Sequence, residues 1–190
     1  MKTKTAFFDI DTQFDFMRPR GALYVKGASG ITARLRRLTR LADRCRIPVI
    51  SSLDRHTRND PEFARFPPHC VRGSRGQKKI AETMAGVTRQ TGISKCTLDV
   101  FANPRTEKLL RRFDRVYVYG VALDYCVKAA CLGAVKRGLQ TYLVTDATVA
   151  VSRLAGRQTL RLLRRRKVIF TTVNAVEKEF LSCRKTLKSS

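Results

Sequence analysis

The chain has only two histidines, and both fall in one stretch: His56 in Asp54-Arg55-His56 and His69 in Phe66-Pro67-Pro68-His69. In an extended segment residues i and i+2 leave the same side. Asp54 and His56 can therefore converge on one divalent ion while a rigid Pro-Pro turn presents His69 from across the loop. Glu62, between them in sequence, could be a fourth protein ligand. Asp-x-His alone is also a common pattern of surface polarity. Cys70 adjoins His69, but neighbours in an extended chain point apart, and Cys70 is read as a buried thiol. Cys126 differs from the other five cysteines. It follows an apolar β-prone run by a tight turn and opens a helical pattern, where unpaired amides and the positive end of the helix dipole would lower a thiol pKa and could hold an oxyanion. Simple packing at a strand–helix junction is the other reading of that position. A thiol nucleophile needs a base, and if metal occupies both histidines, a carboxylate must serve. Asp11, closing the first apolar run, is placed for it; Asp9 is read as a hydrogen-bonded residue near a strand end.

Those side chains need a scaffold, and the patterning supplies one. Thr3 to Ile10, Pro48 to Leu53, Val87 to Ser94, Arg115 to Gly120, Gln140 to Thr145 and Val168 to Thr172 have strand character. A 3.6-residue period begins at Ser29 (Ile31, Leu35, Leu38, Leu41, Ala42), with Arg34, Arg36, Arg37 and Arg40 mostly on the other faces. Asn103-Pro104 starts a helix to about Arg112. Further helices are expected over Leu123 to Arg137, ended by Gly138, Ser152 to Arg165, and Ala175 to Ser182. Such alternation predicts an α/β fold of three layers, α/β/α, with a mainly parallel central sheet in a single domain spanning 1–190. Ligands bind such sheets at the carboxyl ends of the strands, where Asp11, Asp54 and the segment after Gly120 fall. Residues 54–76 carry three prolines and two glycines with no sustained period, an unusually long loop of the kind that often carries function.

Composition bounds the rest. A length of 190 residues, 43% hydrophobic and 28% charged, excludes a wholly disordered or collagen-like chain. No apolar run approaches the roughly 20 residues of a membrane helix, since Asp9, Arg46 and Lys128 break the longest. Asp9 and Asp11 interrupt any signal-peptide core, so a cytoplasmic protein that does not engage membranes is expected. The six cysteines lack CxxC spacings, which argues against a zinc ribbon or disulfide framework. Against 39 Lys and Arg stand 15 Asp and Glu, a net charge of +24 that would attract polyanions non-specifically. The runs Arg34 to Arg40 and Arg161 to Lys167 make a nucleic-acid-binding protein the rival reading, although no helix-turn-helix, RNA-binding aromatic motif or zinc finger accompanies them.

The segments FFDIDTQFDF, GALYVKGA, DRH, FPPHCVRGS, a Lys followed by DVFANP, and GVALDYCVKAACLGAVKRG occur in this order between about Ala6 and Ala147. Together they resemble the nicotinamidase group of the isochorismatase-like cysteine hydrolases. The resemblance implies that fold and a triad of Asp11, Lys95 and Cys126, Lys95 being a residue that nothing else singles out. It also implies a cis bond in the Val121-Ala122 pair that aims the Ala122 and Cys126 amides at an oxyanion. It further implies a metal held by Asp54, His56 and His69, most simply zinc, with manganese and iron as alternatives. Many members add a further His; none is available here, and Glu62 stands at about that place. Phe16 and Phe66 match aromatic positions that would flank a flat ring.

Isochorismatases proper lack the nucleophilic Cys, and other cysteine hydrolases of carbamoyl or ureido amides commonly lack the Pro-Pro-His ligand. Cys126 and His69 therefore imply hydrolysis of nicotinamide to nicotinate and ammonia through a Cys126 thioester, with another small amide as the alternative. Association as a homo-oligomer is also expected.

Overall fold

The computed structural model describes residues 3–84 and 89–186, with side chains to 182. Strand β1 (Thr5–Ile10) ends in Asp11 and is followed by a single-turn helix α1 (Phe14–Met17) that the sequence pattern does not announce. Helix α2 (Thr32–Cys45) follows and buries Leu35, Leu38, Leu41 and Ala42, while Arg34, Arg36, Arg37 and Arg40 face solvent, as the 3.6 period requires. Strand β2 (Val49–Asp54) and strand β3 (Gln90–Lys95) come next; the expected start of the latter at Val87 lies outside the described residues. Helix α3 (Pro104–Leu110) is capped by Asn103, whose side chain accepts from the Arg105 amide at 3.0 Å. Then come strand β4 (Arg115–Val121), helix α4 (Lys128–Lys136), strand β5 (Gln140–Val149), helix α5 (Arg153–Arg165), strand β6 (Ile169–Thr171) and helix α6 (Val173–Thr186).

The six strands form one sheet in the order β3-β2-β1-β4-β5-β6, and every pairing is parallel. Alternation along β1 divides the core: Phe7 packs with the α2 and α6 residues on one face, whereas Ala6, Phe8 and Ile10 pack with those of α4 and α5 on the other. The α/β sandwich is thus as the strand–helix alternation predicts. Two elements depart from it. The single helix expected over Leu123 to Arg137 is broken, because the Ala122 carbonyl accepts from both the Tyr125 and Val127 amides and winds Leu123–Val127 as a wider turn before α4 begins. Strand β5 continues four residues past Thr145, with its register against β4 shifting between Val118 and Gly120.

The order reverses between β1 and β4, where chain continues outward in both directions, and a crevice opens at the strands' carboxyl ends. Gly120 makes the close approach there possible: at φ +114° it faces the Ile10 carbonyl, and a Cβ would stand 2.1 Å from that oxygen. Cys70, Cys96, Cys126 and Cys131 are free thiols; the side chain of Cys183 lies outside the described residues. Among the described residues no helix is long and apolar enough to cross a membrane.

Candidate active site

Four adjacent strands deliver one chemical group each to the crevice. Lys95 closes β3, Asp54 closes β2, Asp11 follows β1, and Cys126 lies in the wide turn after β4. Register brings them together, since Asp54 and Lys95 are partners across β2 and β3. The Lys95 ammonium is 2.8 Å from Asp11 Oδ2 and 3.4 Å from Cys126 Sγ, and it makes a short contact with Asp54 Oδ1. All four groups are buried. Ser52 Oγ donates to Asp11 Oδ1 at 2.6 Å, fixing the carboxylate from behind. Asp11 itself sits at φ +48°, a left-handed conformation that turns the chain out of the sheet.

The electrostatics follow from burial. Desolvation raises the Asp11 carboxyl above its ordinary range, and Asp54 adds to this as a like charge while Lys95 opposes it. Burial works against the charged form of Lys95, yet Asp11, Cys126 and Asp54 together hold the ammonium well above its usual value. Burial also pushes the Cys126 thiol well up, with Lys95 pulling the other way. The direction is opposite to that expected of a thiol acidified by a helix start: α4 begins only at Lys128, and burial of the thiol raises it. Asp9 stands apart from this cluster, hydrogen-bonded to Thr12 and ion-paired with Lys79, as its strand-end reading has it.

Asp54 shares its two oxygens between two groups. Oδ1 meets Lys95, and Oδ2 lies 3.9 Å from His56 Nε2 and 3.8 Å from His69 Nε2. The imidazoles lie with ring centroids 4.7 Å apart. What brings them together is nonlocal: His56 bridges to Val71 in a parallel pairing, with the His56 amide donating to the Cys70 carbonyl and the Arg72 amide to the His56 carbonyl. His69 Nδ1 is 2.8 Å from the Pro67 carbonyl, which directs Nε2 into the cluster. Gln13 anchors the ligand strand end, its amide nitrogen donating to the Asp54 carbonyl at 2.8 Å and its oxygen accepting from the Asp54 amide at 2.7 Å.

These residues fit a divalent cation. His56 Nε2 is buried without a hydrogen bond, which for a fully enclosed imidazole calls for a further partner on that nitrogen. Tetrahedral ligands bonded at about 2.1 Å stand about 3.4 Å apart, so each imidazole would need to move about 0.4–0.5 Å closer to Asp54 Oδ2. Oxygen and imidazole donors of this kind suit zinc, manganese or iron. Glu62 lines the same cavity as Asp54 and His69, and clusters with His56 and Asp60.

The cavity has a volume of about 120 Å³. Phe16, Phe66, Val121, Ala122 and Tyr125 form its apolar walls, and Asp11, Asp54 and Cys126 its floor. Phe66 packs edge-on against both His69 and Tyr125, at 6.3 and 6.1 Å, so the aromatic wall joins the imidazole pair to the Cys126 turn. The Val121-Ala122 peptide is cis. Asp124 accepts from the amides of Val151 and Ser152, at 2.9 and 3.0 Å, and so ties that turn to the start of α5. Sequence reading did not single out Ser52, Asp60, Asp124 or Val151. The Asp60-Pro61 pair is a recognisable helix-start signal, whereas the others carry none.

Sequence and fold are both similar to those of known proteins. The isochorismatase domain family matches residues 5–175. The nicotinamidase of Saccharomyces cerevisiae is 25% identical over 187 residues, covering 75% of this chain and 87% of that protein. Among solved structures, the pyrazinamidase of Pyrococcus horikoshii in complex with zinc superposes with a TM-score of 0.84 at 26% identity, covering 89% of this chain and 99% of that one. PnC1 from L. infantum, solved in complex with nicotinate, gives 0.81 at 25% identity, covering 91% and 94%.

Proposed function

The chain belongs to the isochorismatase family and is a hydrolase of amide carbon–nitrogen bonds, and from that premise we propose that it is a nicotinamidase, releasing nicotinate and ammonia from nicotinamide. The observation that carries the reading is the meeting of Cys126, Asp11 and Lys95 in one buried cluster, 3.4 Å and 2.8 Å from the shared ammonium, beside the Asp54–His56–His69 cradle.

In this reading Asp11 takes the Cys126 proton. Burial favours the neutral forms of both groups, and Lys95 offsets the negative charge that appears on sulfur when the proton moves. The thiolate adds to the amide carbon, and the amides of Ala122 and Cys126 receive the oxyanion. Asp11 returns the proton to the departing nitrogen, so ammonia leaves and a thioester to Cys126 remains. Asp11 then takes a proton from water as its oxygen attacks the thioester, and nicotinate departs with the thiol restored. Phe16 and Phe66 flank the ring. A divalent ion held by Asp54, His56 and His69, with Glu62 as a further ligand, would supply an anchoring point for the ring nitrogen, a positioning role. Zinc is the proposed ion, in line with the zinc complex of the Pyrococcus horikoshii relative.

The test is ammonia release by the purified protein loaded in parallel with zinc, manganese and iron, across nicotinamide, pyrazinamide and a set of carbamoyl and ureido compounds. Nicotinamide is expected to turn over fastest. No release from nicotinamide in any metal form refutes the substrate assignment, and faster release from a ureido compound reassigns it.

A further inference from the structure

One carboxylate beside the cation cradle serves two of its candidate ligands. Asp60 caps the short turn Pro61–Ala64, and its Oδ1 accepts from the Glu62 amide at 3.0 Å. Its other oxygen, Oδ2, lies 3.0 Å from His56 Nδ1. His56 is wholly enclosed, and its Nε2 points toward the Asp54 oxygen that also faces His69. A neutral imidazole carries one N–H and one lone pair. For Nε2 to offer its lone pair to a cation, the proton must sit on Nδ1, and Asp60 is the acceptor waiting there.

We propose that Asp60 is the positioning residue of the cation site: one oxygen holds His56 as the Nδ1–H tautomer with Nε2 free to ligate, and the other sets the turn that carries Glu62. The inference rests on the reading that Asp54, His56 and His69 hold a divalent ion. His69 has a separate device for the same purpose, the Pro67 carbonyl at 2.8 Å from its Nδ1. A carboxylate does more than a carbonyl, because its negative charge raises the basicity of the ring it orients. The two-oxygen demand also explains why Asp suits the position. Both neighbours are N–H donors, and asparagine has a single oxygen, so Asp60→Asn must leave one of them facing an amide N–H. Serine is long enough to cap the turn and too short to reach the imidazole, so Asp60→Ser removes the His56 contact alone.

Zinc affinity of the wild type, Asp60→Asn and Asp60→Ser is measured by competition with a chromophoric chelator, with circular-dichroism melts to verify folding. Long-range 15N–1H spectra of the zinc-loaded proteins report the tautomers directly, since a chain with two histidines gives two ring systems. The expected result is that both wild-type rings are Nδ1–H, and that each variant binds zinc about 10–100-fold more weakly. The His69 signals should keep their pattern while those of His56 change. Wild-type affinity in Asp60→Ser, or a wild-type His56 ring protonated on Nε2, overturns the role of Asp60 while leaving the cation reading intact. A wild type that binds no zinc overturns both.

Discussion

Replacing Lys95 by methionine removes the ammonium around which the whole cluster is built while nearly keeping the side-chain length. The Lys95 and Asp11 side chains are each 1% exposed and that of Asp54 is 5% exposed, so solvent compensates the lost charge poorly. Asp11 and the Cys126 thiol would then share an enclosed space without the ammonium that faces them both. Deleting one member of a buried pair costs about 3–5 kcal/mol. At about 2–4 °C per kcal/mol for a chain of this size, Tm should fall by roughly 6–20 °C. The deficit should depend on pH with a definite sign. Burial already raises the Asp11 carboxyl, and without Lys95 the opposing charge is gone, so the folded state binds more protons than the unfolded one and regains stability as pH falls. The gap between wild type and Lys95→Met is therefore widest at neutral pH and narrows toward pH 4. Turnover should drop by about 10²–10³-fold, since the negative charge on the thiolate loses its partner. Urea unfolding at several pH values, with ammonia release in parallel, reads both effects. A stability within about 1 kcal/mol of wild type at neutral pH, with a gap that does not change on acidification, refutes the electrostatic reasoning.

Ser52→Ala removes the 2.6 Å hydrogen bond behind Asp11. A bond to a charged group contributes about 1.5–3 kcal/mol, so kcat should fall by at least about tenfold with KM little changed, and an unaltered kcat in steady-state assays would count against Asp11 as the base. Glu82 is bonded to Arg18 at 2.6 Å, which holds its carboxyl below the ordinary value of 4.5. A depressed acid contributes stability above its unfolded pKa that is lost as pH falls through the folded one, so Glu82→Gln should be less stable than wild type at pH 7 and equal to it well below pH 4.5. Urea midpoints showing a constant difference at both ends would contradict this. Gly120→Ala would set a Cβ 2.1 Å from the Ile10 carbonyl at a left-handed φ, and a loss of at least about 3 kcal/mol or of soluble protein is expected; a melt like that of the wild type would mean that the β1–β4 approach is not as described.

Much of this fold was legible because it is local. Apolar runs ending in Asp11 and near Asp54 mark strands whose carboxyl ends face a site, and Asn103-Pro104 starts its helix as written. What escaped is set by contacts distant in sequence. Lys95 is one of 39 basic residues, and its burial is decided by the register that places it opposite Asp54. Residues 54–76 look irregular along the chain because the His56–Val71 bridge that orders them joins two separate segments. Periodicity over Leu123 to Arg137 cannot register that one carbonyl accepts two amides and widens a turn. The charge state of Cys126 depends on enclosure, which position at a helix start does not reveal. For Asp60 the cap is visible in the sequence, but the oxygen facing His56 is not.

The proposed reaction depends on the sulfur of Cys126, and the most direct measurement is the rate of ammonia release from nicotinamide by metal-loaded Cys126→Ala beside the metal-loaded wild type, with folding and metal content matched. Activity in the wild type and a rate indistinguishable from the enzyme-free control in the variant is the predicted outcome. A variant that retains the wild-type rate would show that the amide is broken without this thiol, and the mechanism would fail.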